Sequence, residues 1–158
     1  MNTRLLRAGL AAALALGLAA CASVPLPVVD RYDPKRDAGS DLAAAIAAAP
    51  SARRQVLVLT GGDWCKDCRD LDALFAADPA LAALRDARYV PVKVFVGSEN
   101  RNEAALAAFP KLEWVPTLFV LDGDGRVVRQ APSTEFHIGN KLEPAKVRAF
   151  LEAGPRPF

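Results

Sequence analysis

Two cysteines separated by two residues, Cys65 and Cys68, constrain the fold of this chain more than any other feature of the sequence. They follow residues 54–61, a β-branched and leucine-rich run that ends in Gly-Gly and is typical of a buried strand. After them, Leu71 and Phe75 continue the helical spacing of Cys68. The pattern predicts a strand, a short loop and an amphipathic helix, with the cysteine pair at the start of the helix.

This position gives the two thiols different chemistry. Cys65 lies at or before the first helical turn, where unpaired N–H groups and the helix dipole stabilise a thiolate. Cys68 is three residues further on and returns to the same face, so the two sulfurs are within reach of a disulfide. We predict that Cys65 is the exposed nucleophile and that Cys68 is the more buried resolving thiol.

Helical and extended patterns alternate along the rest of the chain. Further helices are predicted at residues 40–50, 79–87, 100–109 and 143–153, a strand at 88–97, and a hairpin at 117–130 with an irregular segment after it. Strands joined by helices are expected to be parallel, and the hairpin adds an antiparallel strand. The predicted fold class is α/β, with a mixed sheet of about four strands and helices on both faces.

Residues 1–20 have the pattern of an export signal. Arg4 and Arg7 precede an apolar run that is short for a membrane span. The run ends in LAAC at Cys21, which resembles the lipobox of bacterial lipoproteins and implies cleavage before Cys21 and acyl chains on it. An ordinary signal peptide would instead leave Cys21 as a free thiol. Lipidation is favoured because it leaves Cys65 and Cys68 as an even pair.

The domain organisation follows from this signal. Residues 21–39 contain three prolines and no helical or strand period, so we predict a lipidated N-terminus and a flexible tether. Residues 40–158 form the predicted folded domain. Ala22 follows the lipobox cysteine, and by resemblance this favours the periplasmic side of the outer membrane.

The charge balance argues against a nucleic-acid surface. The chain has 20 Lys and Arg residues and 18 Asp and Glu residues. Arg4 and Arg7 leave with the signal, so 20 less 2 gives 18 basic residues against 18 acidic ones. A near-neutral mature chain offers no basic stripe to a phosphate backbone.

The sequence resembles the thioredoxin superfamily in the order of its elements and motifs. A strand and a loop are followed by WCxxC, which begins at Trp64, and by a helix; later, VPT, with Val115 and Pro116, precedes a strand and a hairpin. The similarity extends over residues 54–153 and implies a thioredoxin fold. It further implies that Pro116 is a cis-proline facing the cysteines and that the Val115 backbone pairs with an extended substrate. Trp64 is expected either to contact substrate beside Cys65 or to pack over the start of the helix.

The resemblance also implies an activity. We predict a membrane-tethered thiol-disulfide oxidoreductase that exchanges disulfides with protein substrates through Cys65 and Cys68 and needs no bound cofactor or metal. A reductase is favoured, because a tethered domain in an oxidising compartment contributes most by supplying electrons. It would then require an upstream electron donor in the membrane.

A pair of cysteines at this spacing also has other possible uses. A structural disulfide across so short a loop stabilises little. A closed zinc site needs about four ligands, and the chain has one histidine, His137. Copper bound by Cys65, Cys68 and His137, as in a copper chaperone, and a non-catalytic thioredoxin-like binding module remain the alternatives. A lone loop histidine such as His137 is more typical of a solvated or capping residue.

The sequence departs from the thioredoxin pattern beside the pair. Leu59 stands six residues before Cys65, where the family often has a buried acid, and Lys66 and Asp67 separate the cysteines. Lys93 matches the place of a family lysine near that acid. We predict that Lys93 lies behind the cysteines and favours a thiolate; the alternative is a lysine that extends to solvent at a strand end.

Overall fold

The structure is a computed structural model and describes residues 25–154. In chain order its helices are α1 (Ala38–Ala48), α2 (Lys66–Ala77), α3 (Pro79–Arg88), α4 (Glu103–Leu106) and α5 (Pro144–Glu152). Its strands are β1 (Gln55–Gly61), β2 (Tyr89–Phe95), β3 (Thr117–Leu121), β4 (Val127–Pro132), β5 (His137–Ile138) and β6 (Lys141–Leu142). A 3-10 turn at Ser133–Phe136 links β4 to β5.

The first four strands form one mixed sheet in the order β2-β1-β3-β4. β1 is parallel to β2, whereas β3 is antiparallel to both β1 and β4. The mixed four-stranded sheet is therefore confirmed, but the expectation that β3, which follows a helix, is a parallel strand was wrong. Gly61 pairs with Phe95 and Thr60 with Thr117, so the connection from β2 to β3 stays at one end of the sheet. The segment around Pro116 is thereby brought to the end of β1 from which the cysteines follow.

The central strand β1 is buried on both faces. Val56 and Val58 pack with α1 and α4 on one side, in a cluster that also includes Val90 and Phe119. Leu57 and Leu59 point to the other side. That side is covered by apolar residues of α2, α3 and α5, namely Leu71, Phe75, Leu81, Val147, Phe150 and Leu151. The prediction of helices on both faces of the sheet is confirmed. Their packing holds β1 in place, including its carboxyl end, from which the cysteines follow.

The described part of the predicted tether packs against the domain. Val29 N–H donates to Pro91 O at 3.0 Å, and Lys93 N–H donates to Val29 O at 2.9 Å. Val29 and Tyr32 are each 6% exposed. The flexible character expected for residues 21–39 is therefore wrong around Val29 and Tyr32. A single bridging residue anchors the segment there, and one residue of pairing leaves no strand period in the sequence.

Three other local expectations were wrong. The helix predicted at residues 100–109 is limited to α4, Glu103–Leu106. Helix α1 begins at Ala38 with Asp37 as its N-cap, whose carboxylate accepts from Ser40 N–H at 3.2 Å, and not with Ser40 as the cap. The segment expected to be irregular after β4 contains the 3-10 turn and the β5–β6 hairpin, in which His137 pairs with Leu142. Two-residue strands are too short to leave a pattern in the sequence.

The export signal at residues 1–20 and the lipidation of Cys21 concern residues outside the range that the structure describes. Within residues 25–154, none of the helices has both the length and the apolar character that a membrane span requires.

Candidate active site

The loop from β1 to α2 places both cysteines at the helix start. Cys65 is the N-cap of α2, and its Sγ accepts the Cys68 N–H at 3.3 Å. Both cysteines are free thiols. Cys68 is the more buried, at 1% exposure against 7% for Cys65, so Cys65 is less exposed than the sequence suggested. The two sulfurs thus lie on one side of the first turn of α2.

Gly61 allows β1 to end directly against the resolving thiol. A Cβ at this position would overlap Cys68 Sγ and would lie 3.5 Å from the Tyr32 hydroxyl oxygen. The Gly61 φ of 154° also disfavours other residues. A glycine at the end of the strand is therefore required by the close packing of backbone and thiol.

Burial controls the acidity of the resolving thiol. The pKa of Cys68 is raised to about 12, mainly by loss of solvent. Its hydrogen bond to Cys65 and the nearby Asp72 carboxylate contribute to this rise, and a main-chain hydrogen bond from Gly62 opposes it. Cys68 is therefore protonated at neutral pH in the reduced protein. This keeps the second thiol from reacting before the first.

The loop before β3 faces Cys65 from the opposite side. The Val115–Pro116 peptide bond is cis, as the resemblance implied. Cys65 Sγ–H donates to the Val115 carbonyl oxygen at 3.5 Å. Thr60 Oγ1 donates to Thr117 O at 3.1 Å and ties the start of β3 to the end of β1. Cys65 and Val115, which are far apart in sequence, are in this way held next to each other at the end of β1.

Two exposed tryptophans are next in sequence to Cys65 and Val115. Trp64 is 57% exposed and Trp114 is 61% exposed. The Trp64 indole lies over the backbone of Gly62 and Gly97, where any added Cβ would meet its Nε1. Each tryptophan lines one of two clefts, of about 600 and 440 Å³, that share Val96 and Arg101. Trp114 was not among the predicted site residues, although its position directly before Val-Pro was an available signal.

Lys93 lies behind the pair but does not contact the sulfurs. Its Nζ is 2.7 Å from Asp72 Oδ1 and 5.0 Å from the centre of the Tyr32 ring. The Lys93 side chain is only 13% exposed, so it does not extend to solvent. Lys93 pairs in register with Leu59 of β1, the position at which the family often has a buried acid. Here the carboxylate beside Lys93 belongs instead to Asp72 of α2. Its effect on a thiolate stays a prediction.

Neither Asp72 nor Tyr32 was among the predicted site residues. Asp72 follows Cys68 by four residues, a spacing that places two helical side chains on one face and was an available signal. Tyr32 lies in the segment that was interpreted as a tether, and no local pattern connects it with the cysteines.

His137 is held by contacts near the pair. Its Nδ1 is 2.7 Å from the Ser133 carbonyl oxygen, and its Nε2 is 3.8 Å from Asp67 Oδ1. Ser133 Oγ donates to the other Asp67 oxygen at 3.3 Å. The expectation of a solvated or capping histidine is therefore wrong for solvation, since the side chain is 13% exposed, whereas His137 does cap the C-terminal end of the 3-10 turn. Within residues 25–154, no three His, Cys, Asp or Glu side chains are grouped as a metal site.

Comparison with known proteins decides the family. Residues 37–123 match a family described as thioredoxin-like. The chain belongs to the thioredoxin-like family. This thioredoxin-like protein is similar in structure to a disulphide isomerase from Xylella fastidiosa Temecula1, with a TM-score of 0.66 and 28% identity over 77% of this chain and 93% of that one. The predicted thioredoxin fold is confirmed by that similarity.

Two further solved structures share the fold of the thioredoxin-like chain at lower identity. The C-terminal domain of Neisseria meningitidis DsbD in the oxidised form has a TM-score of 0.55 and 18% identity, over 75% of this chain and 97% of that one. Trxlp from Edwardsiella tarda EIB202 has a TM-score of 0.50 and 22% identity, over 76% and 97% respectively. No match was found among curated protein sequences.

Proposed function

We propose that this thioredoxin-like chain is a thiol-disulfide oxidoreductase that acts on protein disulfides through Cys65 and Cys68. The observation that carries the proposal is the Cys65 thiol at the N-terminus of α2, 3.5 Å from the Val115 carbonyl and three residues before a buried second thiol. The similarity to a protein named as a disulphide isomerase supports the same class of chemistry.

The reaction uses the two thiols in sequence. The Cys65 thiolate attacks one sulfur of a substrate disulfide, so a mixed disulfide forms and the other substrate sulfur leaves as a thiolate. Cys68 then loses its proton to solvent and attacks Cys65 Sγ. The Cys65–Cys68 disulfide forms, the second substrate sulfur leaves, and both substrate thiolates take protons from solvent. The substrate is reduced by two electrons and the protein is oxidised by two; the reverse order oxidises a substrate.

The surface around Cys65 suits an extended peptide. Within residues 25–154, no hydrogen-bond partner is found for the Val115 N–H, which leaves it free to donate to a substrate backbone. Trp64 directly precedes Cys65 and Trp114 directly precedes Val115, and both are more than half exposed. Exposed aromatic side chains of this kind are typical anchors of protein interfaces. We therefore propose that an extended segment around the substrate cysteine binds between the two tryptophans.

Substitution of each cysteine tests the proposal. Cys65→Ser is expected to abolish reduction of insulin disulfides, because no nucleophile remains. Cys68→Ser is expected to accumulate covalent complexes with substrate that disappear on a reducing gel, because the resolving step is blocked. Turnover by Cys65→Ser, or a Cys68→Ser variant that traps nothing, would contradict the mechanism.

We further propose that the protein works as a reductase tethered by a lipidated Cys21 to the periplasmic side of a bacterial membrane, more specifically the outer membrane. The lipobox at Cys21 and the short apolar run before it support the tether. A reductase needs a membrane electron donor, because oxidised Cys65 and Cys68 must be reduced again after each turnover. Measuring the reduction potential of the pair against glutathione tests the direction: a value near that of thioredoxin, about −270 mV, supports a reductase, and one near −120 mV contradicts it.

A further inference from the structure

The N-terminal segment brings a tyrosine to the buried side of the cysteine pair. Tyr32 is 6% exposed and belongs to one apolar cluster with Cys65, Cys68 and Phe95. Its hydroxyl and Cys68 Sγ converge on the same small space beside Gly61. The hydroxyl therefore lies beside the thiol that the resolving step must deprotonate.

Neighbouring elements hold Tyr32 in this position. Three residues earlier, the Val29 backbone is hydrogen-bonded to Pro91 O and Lys93 N. The Lys93 ammonium lies over the Tyr32 ring at 5.0 Å, and Lys93 is itself held by Asp72 at 2.7 Å. The ring is consequently fixed from the N-terminal segment, from β2 and from α2.

The chemistry of Cys68 gives a role to a hydroxyl group beside its sulfur. A buried thiolate is costly unless hydrogen-bond donors face it. Burial raises the pKa of the Tyr32 hydroxyl well above its usual range, so Tyr32 keeps its proton and can act as a donor at neutral pH. The charged and titratable groups that face Cys68 are Cys65 and Asp72 from α2 and Tyr32 from the N-terminal segment, with Lys93 of β2 paired to Asp72.

We propose that Tyr32 is a catalytic hydrogen-bond donor that stabilises the Cys68 thiolate during the resolving step. When Cys68 releases its proton to solvent, the Tyr32 O–H donates to the sulfur. The thiolate then attacks Cys65 Sγ, and the bond from Cys65 to the substrate sulfur breaks. Tyr32 keeps its own proton throughout. The inference rests on the proposed exchange through Cys65 and Cys68.

The reaction of the reduced protein with one equivalent of dithionitrobenzoate separates the two steps. Attack by Cys65 releases the first thionitrobenzoate, and resolution by Cys68 releases the second. We expect Tyr32→Phe, which keeps the ring, to leave the first phase unchanged and to slow the second about tenfold at pH 7. The rate of the second phase should also reach its plateau at higher pH than in the wild type.

The chain offers a matched control, because it contains two tyrosines. The Tyr89 hydroxyl is also buried and donates to Leu151 O at 2.9 Å, on another side of the core. Tyr89→Phe is expected to lower thermal stability but to leave both phases unchanged. Thermal unfolding of Tyr32→Phe confirms that the variant is folded under the assay conditions.

The outcomes of this experiment are distinct. A wild-type protein that releases only one thionitrobenzoate contradicts the proposed exchange mechanism itself. A wild-type protein with two phases, together with a Tyr32→Phe variant whose second phase has the same rate and pH profile, overturns the role of Tyr32 and leaves the exchange mechanism intact. Equal slowing by Tyr89→Phe would assign the effect to stability and would also overturn that role.

Discussion

At the residue scale, the close approach of Gly61 to the resolving thiol leads to a direct prediction. Gly61→Ala places a methyl group in the space of Cys68 Sγ, so the thiol or the end of β1 must shift. We expect a loss of about 1–3 kcal/mol in the free energy of unfolding and a slower resolving step. Urea denaturation and the two-phase dithionitrobenzoate reaction measure these two effects.

Gly123→Ala is the matched control for this change. A Cβ at Gly123 would meet only Pro50 Cγ at 3.6 Å, an ordinary van der Waals distance. The control should therefore change neither stability nor rate appreciably. Equal behaviour of the two variants would show that the packing of Gly61 against the thiol has no special importance.

The raised pKa of Cys68 predicts how stability depends on pH. A free cysteine titrates near 8.5 in an unfolded chain, whereas the pKa of Cys68 is raised to about 12 in the folded protein. The folded thiol thus holds its proton more tightly, and its contribution is complete below about pH 8.5 and is lost as the pH rises toward 12. We expect the reduced protein to lose about 1 kcal/mol per pH unit in this window.

Urea denaturation at pH 7, 9 and 10.5 checks this prediction. Cys68→Ala provides the control, because it keeps a small buried side chain and removes the titrating group. The reduced wild type should lose more stability between pH 9 and 10.5 than Cys68→Ala does. Parallel losses in the two proteins would contradict a buried, protonated Cys68.

Residue types alone predicted much of the site but not all of it. Cys65, Cys68 and Pro116 belong to motifs whose spacing is local and whose chemistry restricts the possible roles. Tyr32 reaches Cys68 only through tertiary packing, and a tyrosine in a proline-rich segment has many other uses. Asp72 is on the same helix as Cys68, but a carboxylate on a helix also has many other uses, so its spacing alone did not single it out. The replacement of the strand acid at Leu59 by a helix acid could be seen only once the two elements were packed together.

At the scale of elements, the N-terminal segment is a structural part of the domain. Val29 is 6% exposed, whereas its neighbour Val28 is 46% exposed. Val29→Ala should cost about 1–2 kcal/mol of stability because buried methyl groups are lost, and Val28→Ala should cost less than about 0.5 kcal/mol. Thermal or urea denaturation of both variants makes the comparison, and equal stabilities would contradict a packed segment.

The elements that the sequence predicted well are those with strong periodicity. The buried run of β1 and the spacing of Cys68, Leu71 and Phe75 in α2 both reflect burial of a face, so burial could be inferred from them. The segment before α1 and the strands β5 and β6 carry no such signal, because one or two residues of pairing leave no period. The direction of β3 depends on the path of residues 96–116, which no local pattern specifies.

At the scale of the whole molecule, the proposed lipid anchor is tested by Cys21→Ser. This change removes the sulfur that would carry the lipid and leaves the redox pair intact. In a Gram-negative host, the wild type is expected in the membrane fraction and Cys21→Ser in the soluble fraction or in an unprocessed form. Cys65→Ser, as the control, should stay with the membrane; membrane retention of processed Cys21→Ser would contradict the anchor.

The bridge between Val29 and β2 has one more consequence for the molecule. β2 is an outer strand of the sheet, and such strands are templates for pairing between copies and hence for aggregation. Val29 occupies the Pro91 carbonyl and the Lys93 amide on the open side of β2, and Pro91 itself has no N–H to offer. The segment that carries Tyr32 to the thiol therefore also covers the middle of this edge, where a second copy would otherwise pair.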